Sequence, residues 1–295
     1  MTASISNPPS NTSNTTNANT TNVDGVKVQC LQEVYNRNNA GISLISTGDF
    51  PNGLRYLSSA LAIINRYVNE YGYGHDAAIM AVTNTDTCSP QLGTLSMQQP
   101  SHSRTHTGDK SSSVHEQENS LFYVCREAIV FCERPSYTTP ATTAAAPGED
   151  ICLATSIVLY NIGLTFHELG LVTGSRTKLV KANRMYHECA NVLNTTMMMQ
   201  HHRQAGEMSP SVLQTLQIAL VARNNQASIA YLHQADFEMS SSLLDDVRRG
   251  YQQFMTTMTT TTTCPTSVVF DEVIMEELVL NLATLIRPPV GAPCA

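Results

Sequence analysis

Charge and aromatic surface are scarce in this chain, and each shortage narrows what it can do. There is no tryptophan, and Asp, Glu, Lys and Arg together make up only 14% of the 295 residues, with Ser, Thr and Asn filling the difference. The net charge is −7 and no basic stripe is visible, which argues against general binding to phosphate backbones, because that needs clustered Lys and Arg. No nucleic acid is expected as a partner. No apolar run reaches the roughly 18 residues of a spanning helix, so no membrane span is expected. The opening MTASISNPPSNTSNTTNANTT has neither a basic region nor an apolar one and does not read as a signal peptide. The eight cysteines then read as reduced thiols in a cytoplasmic chain, not as a disulfide framework.

Signatures of chemistry are missing too. The 15 glycines are dispersed, and none precedes Lys-Ser or Lys-Thr in the frame of a phosphate-binding loop. His167-Glu168 begins a zinc-protease pattern, but the second histidine of H-E-x-x-H is replaced by Leu171, so a polar pair on a helix is the better reading. His187, Glu188 and Cys189 are consecutive, and on a helix they point about 100° apart and cannot converge on one ion. His201 and His202 sit at a helix end and read as solvated. Cys125 and Cys132 lack C-x-x-C spacing. The Met197-Met198-Met199 run reads as a helix end in the core, not as a sticky patch. No catalytic residue, cofactor or metal ligand is assigned, and the chain is read as not an enzyme. The alternative is an all-α enzyme or small-ligand-binding protein with an unrecognised Cys/His site, which eight Cys and nine His permit by number.

The pattern that is present is helical. Val34, Ala40, Gly41, Leu44 and Ile45 recur at three- and four-residue spacing, as do Gly53, Leu57, Ala60, Leu61 and Ile64. Between them Gly48 can end a helix at positive φ, Asp49 can cap the next, and Pro51 is tolerated in a first turn. Glycine inside a helix costs about 1 kcal/mol relative to alanine, so Gly41 points to close approach of a second helix. Two further pairs follow, Ile151 to Leu169 with Lys178 to Met197, and Val212 to Gln234 with Phe237 to Met255. A longer turn, Gly170 to Lys178, joins the first of these, and Ser209-Pro210 starts the second. Each first helix carries Asn two residues before its small position: Asn39, Asn161 and Asn225 precede Gly41, Gly163 and Ala227.

These residues resemble the tetratricopeptide repeat, W-x2-L-G-x2-Y…A-x3-F…P over about 34 residues. With Gly41 on the motif glycine, Leu44 takes the tyrosine position, and Gly53 and Leu57 take the A-x3-F pair. In the second copy Leu159, Ile162, Gly163 and Phe166 fill W, L, G and Y, while Ala182 and Tyr186 reproduce A-x3-F. In the third, Ala227 is the small residue, and Ser240 with Leu244 is the small/large pair. The copies cover something over a third of the chain and are not tandem. The resemblance implies an all-α protein of antiparallel helical hairpins in a TPR-like α-solenoid. It also implies a concave groove for a peptide or partner helix, lined by Tyr35, Asn38, Ile42, Tyr160, Leu164, His167, Asn224, Ser228 and Tyr231. The chaperone-tail clamp of that family is not supported, because its first-copy lysine and asparagine positions hold Asn38 and Ile42, and only Asn161, in the second copy, matches. A looser resemblance links the chain to lineage-expanded proteins of this type in unicellular eukaryotes, through an N-N-x-G-like helix and an extended F-x-x-R-E-[AP] segment, here Phe122 to Ala128 with altered spacing.

The expected organisation is a disordered Ser/Thr/Asn tail over 1–24, one TPR-like helical domain over 25–286, and a short tail over 287–295. Disordered insertions are expected near 83–120, 134–149 and 256–266. Residues 121–133, dense in β-branched and aromatic side chains, are expected to lie extended across helices. A helix from Val268 to Ile286, with Phe270, Ile274, Leu278, Leu282 and Leu285 on one face, is expected to close the array. The function expected is that of a non-catalytic scaffold with another protein as its partner.

Overall fold

The computed structural model describes residues 17–71, 95–96, 125–131, 149–201, 210–234 and 236–260, with Met275, Leu278 and Asn281. It is all-α. The helices are α1 (Asn17–Ser46), α2 (Phe50–Tyr71), α3 (Glu149–Thr173), α4 (Arg176–His201), α5 (Pro210–Ile229) and α6 (Phe237–Thr260), and a π-helical turn, Ala230–Gln234, prolongs α5. The β structure among the described residues is one short antiparallel pairing, β1 (Leu95–Ser96) with β2 (Glu127–Ala128). The remainder of the expected insertions, the 287–295 tail, the side chains of Met197 to His201, His202, Cys132 and most of the 268–286 helix lie outside the described residues. Met275, Leu278 and Asn281 of that helix are helical and buried.

Local signals set the helix ends. Gly48, at φ +87°, ends α1, with the Asp49 N–H donating to the Leu44 carbonyl at 2.9 Å. Asp49 then caps α2 by accepting from Asn52 N–H at 3.3 Å, and Asp236 caps α6 in the same way by accepting from Met239 N–H at 2.9 Å. Pro210 is the first residue of α5. Three boundaries differ from expectation. α1 begins at Asn17, inside the tract expected to be disordered to residue 24, and α6 runs to Thr260, past the start of the threonine run. A helix already anchored by packing gains one hydrogen bond for each residue it adds, so it propagates into polar sequence. The long turn expected from Gly170 to Lys178 is instead mostly helix, because the stop is Gly174 at φ +63°. Gly170 serves the packing: a Cβ there would lie 2.6 Å from Leu179 Cδ2.

α3 occupies the middle of the molecule, packing on α4 and α5 and touching α1 and α2. By length and composition it is the one helix among those described that could cross a membrane. However, 83% of its most apolar window is buried inside the protein, and a core helix passes the same test. Its Thr155, Asn161, Thr165 and His167 interrupt any continuous apolar run.

Each helix pair closes on a small residue of its first helix. Gly41 faces Leu57 and the Gly53 carbonyl, and Gly53 faces Ile45. A Cβ at Gly163 would lie 2.7 Å from the ring of Tyr186. Ala227 is fully buried, and its carbonyl accepts from Ser240 Oγ at 3.1 Å. Ala182 and Leu244 are buried at their seams, Leu44 is half-buried, and half-buried Phe166 lies under the Lys181 ammonium at 5.5 Å.

Candidate functional site

Residues 125–131 form an extended strap that crosses α5, α3 and α1 in turn, and one asparagine on each helix holds it. Asn225 accepts from the Cys125 N–H at 3.0 Å and donates to the Cys125 carbonyl at 3.0 Å. Asn161 holds Ile129 in the same way, at 3.1 Å for both bonds. Asn39 holds Phe131, at 3.1 Å from its N–H and 2.8 Å to its carbonyl. A carboxamide presents an acceptor beside a donor, the pair that a neighbouring β-strand would offer, and only one orientation of the amide satisfies both bonds.

The spacing of the held residues follows from strand geometry. In an extended chain the N–H and C=O of alternate residues face the same edge, so residues 125, 129 and 131 can all be held from one side. Glu127 shares that edge, and its carbonyl accepts from Tyr160 OH at 3.0 Å. At about 3.3 Å per residue the strap covers about 20 Å from Cys125 to Phe131, or two interhelical spacings of about 10 Å. That length is why three helices share it.

Side chains fill in around the backbone bonds. Phe131 stacks on Tyr35 of α1, with ring centroids 3.7 Å apart and planes 26° apart. Asn38 donates to the Ile129 carbonyl at 3.4 Å and accepts from Asn161 Nδ2 at 3.4 Å. Arg126 Nε lies 3.3 Å from Glu168 Oε1, an ion pair without hydrogen-bond alignment, and that Glu168 side chain is only 8% exposed. Cys125, Ala128 and Ile129 are buried.

A polar network runs inward from the Asn225 clamp. Asn225 Nδ2 also donates to Tyr186 OH at 3.2 Å, and Tyr186 OH lies 3.4 Å from His167 Nδ1. His167 Nε2 is buried with no hydrogen-bond partner among the described residues. Burial, reinforced by the positive fields of His233 and Arg126, pushes the His167 pKa down to about 3, so the ring is neutral at pH 7. Burial raises the Glu168 pKa while Arg126 opposes that rise, and burial raises Tyr186 well above its ordinary value. Cys189 donates to the Ser156 carbonyl at 3.1 Å, and burial pushes its thiol far up. Tyr160 OH also lies 3.5 Å from Cys125 Sγ. Cys189 is therefore a protonated packing thiol at neutral pH, the opposite of the lowered pKa that activates a nucleophile. No group of three or more His, Cys, Asp or Glu among the described residues is placed to hold a metal ion.

The groove residues expected from sequence do not face open water. Asn38, Ile42, Tyr160, Leu164, His167, Asn224 and Ser228 are all buried, and Tyr35 and Tyr231 are half-buried. Tyr35, Asn38 and Tyr160 touch the strap, whereas Ile42 and Leu164 belong to the hydrophobic core. His167 points to Tyr186 of α4, Asn224 accepts from Asn281 at 2.8 Å, and Tyr231 packs edge-on against Phe237. The strap covers Tyr35, Asn38 and Tyr160, whereas His167, Asn224 and Tyr231 are engaged by residues outside it. In the sequence Asn39, Asn161 and Asn225 stand out only as marks of register, and neither their clamping role nor the parts of Arg126, Glu168 and Phe131 are legible there. The recurrence of one residue type at one repeat position was the available signal.

A separate cleft of about 660 Å³ between α1 and α2 is lined by groups of both charges, among them Glu33, Arg37, Arg66 and Glu70. Comparison with protein-family models, with curated proteins and with solved structures found no match.

Proposed function

We propose that the chain is a non-catalytic protein-interaction scaffold: a TPR-like array of antiparallel helical hairpins whose first helices, α1, α3 and α5, form a trough for extended polypeptide. The antiparallel reading is supported by contact registers that rise on one helix as they fall on the next. Arg37 meets Ser59, Gly41 meets Leu57 and Ile45 meets Gly53; Gly163 meets Tyr186 and Gly170 meets Leu179; Leu220 meets Gly250 and Ala227 meets Ser240. The observation that carries the function is the set of three asparagines, one per first helix, each holding both backbone groups of a single strap residue.

Bonds of this kind engage the main chain, which every polypeptide has, so a trough built from them suits an extended segment supplied by a partner. The strap is then the resident occupant, and a partner's segment takes its place. Proximity labelling in the source cell identifies partners, and backbone amide exchange at Cys125, Ile129 and Phe131 is then followed with each partner bound to the full chain. Faster exchange at those three amides is the expected result. Partners that bind while all three stay protected would remove the trough from the function.

A further inference from the structure

The trough also has the means to select its occupant. We infer that it selects for an extended segment of the pattern small–Arg–x–Ala–aliphatic–x–aromatic, and that the pairing of Glu168 with the arginine is its main discriminator. This rests on the trough reading above and specifies the ligand that reading leaves open.

The three clamps fix the register of whatever lies in the trough, since each must meet a residue whose N–H and C=O face the helices. Once Asn225, Asn161 and Asn39 hold the first, fifth and seventh positions, the second position falls beside Glu168 and the seventh ring falls on Tyr35. Asn161 and Glu168 are seven residues apart on α3, two helical turns, and so share one face. Glu168 Oε1 is buried and finds no hydrogen-bond donor among the described residues, which leaves the Arg126 guanidinium as its compensating charge. A buried carboxylate that loses the one cation paired with it among the described residues is strongly destabilising, so a segment with a neutral second residue is rejected by lost attraction and one with an acidic second residue by repulsion as well. The seventh position reads a flat ring through the stack on Tyr35. Cys125 and Ala128 are fully buried, which admits only small side chains at the first and fourth positions. Glu127 and Val130 are only partly buried, so burial constrains the third and sixth positions less than the first, fourth and fifth.

The test uses the full chain with Arg126→Glu, which sets two carboxylates against each other and loosens the resident strap. A fluorescein-labelled peptide copying residues 123–133 is titrated against it by anisotropy, beside a second peptide that carries the same Arg→Glu change. In the unaltered chain the tethered strap competes at an effective concentration on the order of millimolar, so labelled peptide binds weakly. The Arg126→Glu chain binds the arginine peptide about tenfold tighter than the unaltered chain does and fails to bind the glutamate peptide. A chain with Glu168→Arg reverses that preference.

Equal binding of both peptides by the Arg126→Glu chain overturns the selectivity and leaves the backbone-holding trough standing. Binding of neither, with the helical circular dichroism of the unaltered chain retained, overturns both. Should Arg126→Glu fail to fold, amide exchange at Cys125, Ile129 and Phe131 of the unaltered chain is measured with millimolar peptide. Acceleration by the arginine peptide alone supports the inference; acceleration by both removes selectivity, and acceleration by neither removes the trough as well.

Discussion

The first helices have two working sides, and the two are built on different rules. On the seam side each pair has its own solution: glycine against Leu57 and a backbone carbonyl in the first, glycine against the Tyr186 ring in the second, and an alanine carbonyl bonded to Ser240 in the third. On the strap side all three helices do the same thing with the same residue. Apolar packing asks only that volumes fit, and many combinations fit. A doubly bonded carboxamide has almost no substitutes, because few side chains offer a donor and an acceptor at peptide spacing. Repetition of chemistry on one side, with drift on the other, is what a site for main-chain binding looks like when it is carried on a packing scaffold.

The sharpest way to break this comparison is Asn161→Asp, which keeps the shape of the clamp and removes its donor. At neutral pH it places an uncompensated charge against the Ile129 carbonyl, and a loss of about 3–5 kcal/mol in chemical denaturation is expected. The deficit shrinks in acid, where the protonated carboxyl donates again. The same change at half-buried Asn39 has a smaller effect, and equal effects at both sites would mean that burial does not set the strength of the clamps.

Acid tests the network that joins the two sides. The folded pKa of His167, about 3, lies below its ordinary value of 6.5, so the folded chain binds fewer protons than the unfolded chain between those limits. Stability from this group is full above pH 6.5 and is lost as pH falls through that window, on the order of 3 kcal/mol by pH 4. Glu168 acts in the opposite sense, because protonation relieves its buried charge. The His167 part is therefore read as the difference between the unaltered chain and His167→Asn; parallel stability–pH curves for the two would refute it.

On the seam side, Gly163→Ala forces a methyl group toward a fully buried ring and is expected to cost about 1–3 kcal/mol even after the gain in helix propensity. A neutral result in thermal melts would show that Tyr186 can shift and that the seam is looser than the strap side. The mildest change is Tyr186→Phe, which leaves the seam packing intact and removes the hydroxyl between Asn225 and His167. It is expected to cost about 1 kcal/mol, with faster amide exchange at Cys125 as its mark.

Sequence made the seams readable and left the strap half-read. A glycine inside a helix points to a close neighbour, and Leu57 and Tyr186 are those neighbours. Helix caps are local, so Gly48 and Asp49 are legible in the sequence, while Gly170 misleads because a glycine that admits a neighbouring side chain is spelled like one that ends a helix. The asparagines stand out as a recurrence, yet their role depends on backbone groups 32 to 100 residues away. No local pattern encodes that distance. Glu168 reads in the sequence only as half of a polar helix pair with His167, because its partner, Arg126, reaches it from across the fold.

The separation between Cys125 and Asn225 has a consequence for the order of assembly. Asn39 precedes the strap in the chain and Asn161 follows it closely, but Asn225 is synthesised a hundred positions after the residue it grips. On a growing chain the Phe131 end can be secured early, while the Cys125 end waits for α5. The last bonds to close are those whose second partner is synthesised last, since the 92 residues between Asn39 and Phe131 make a loop almost as long as the 100 between Cys125 and Asn225. A nascent chain that stops short of α5 therefore carries a strap fastened at one end only.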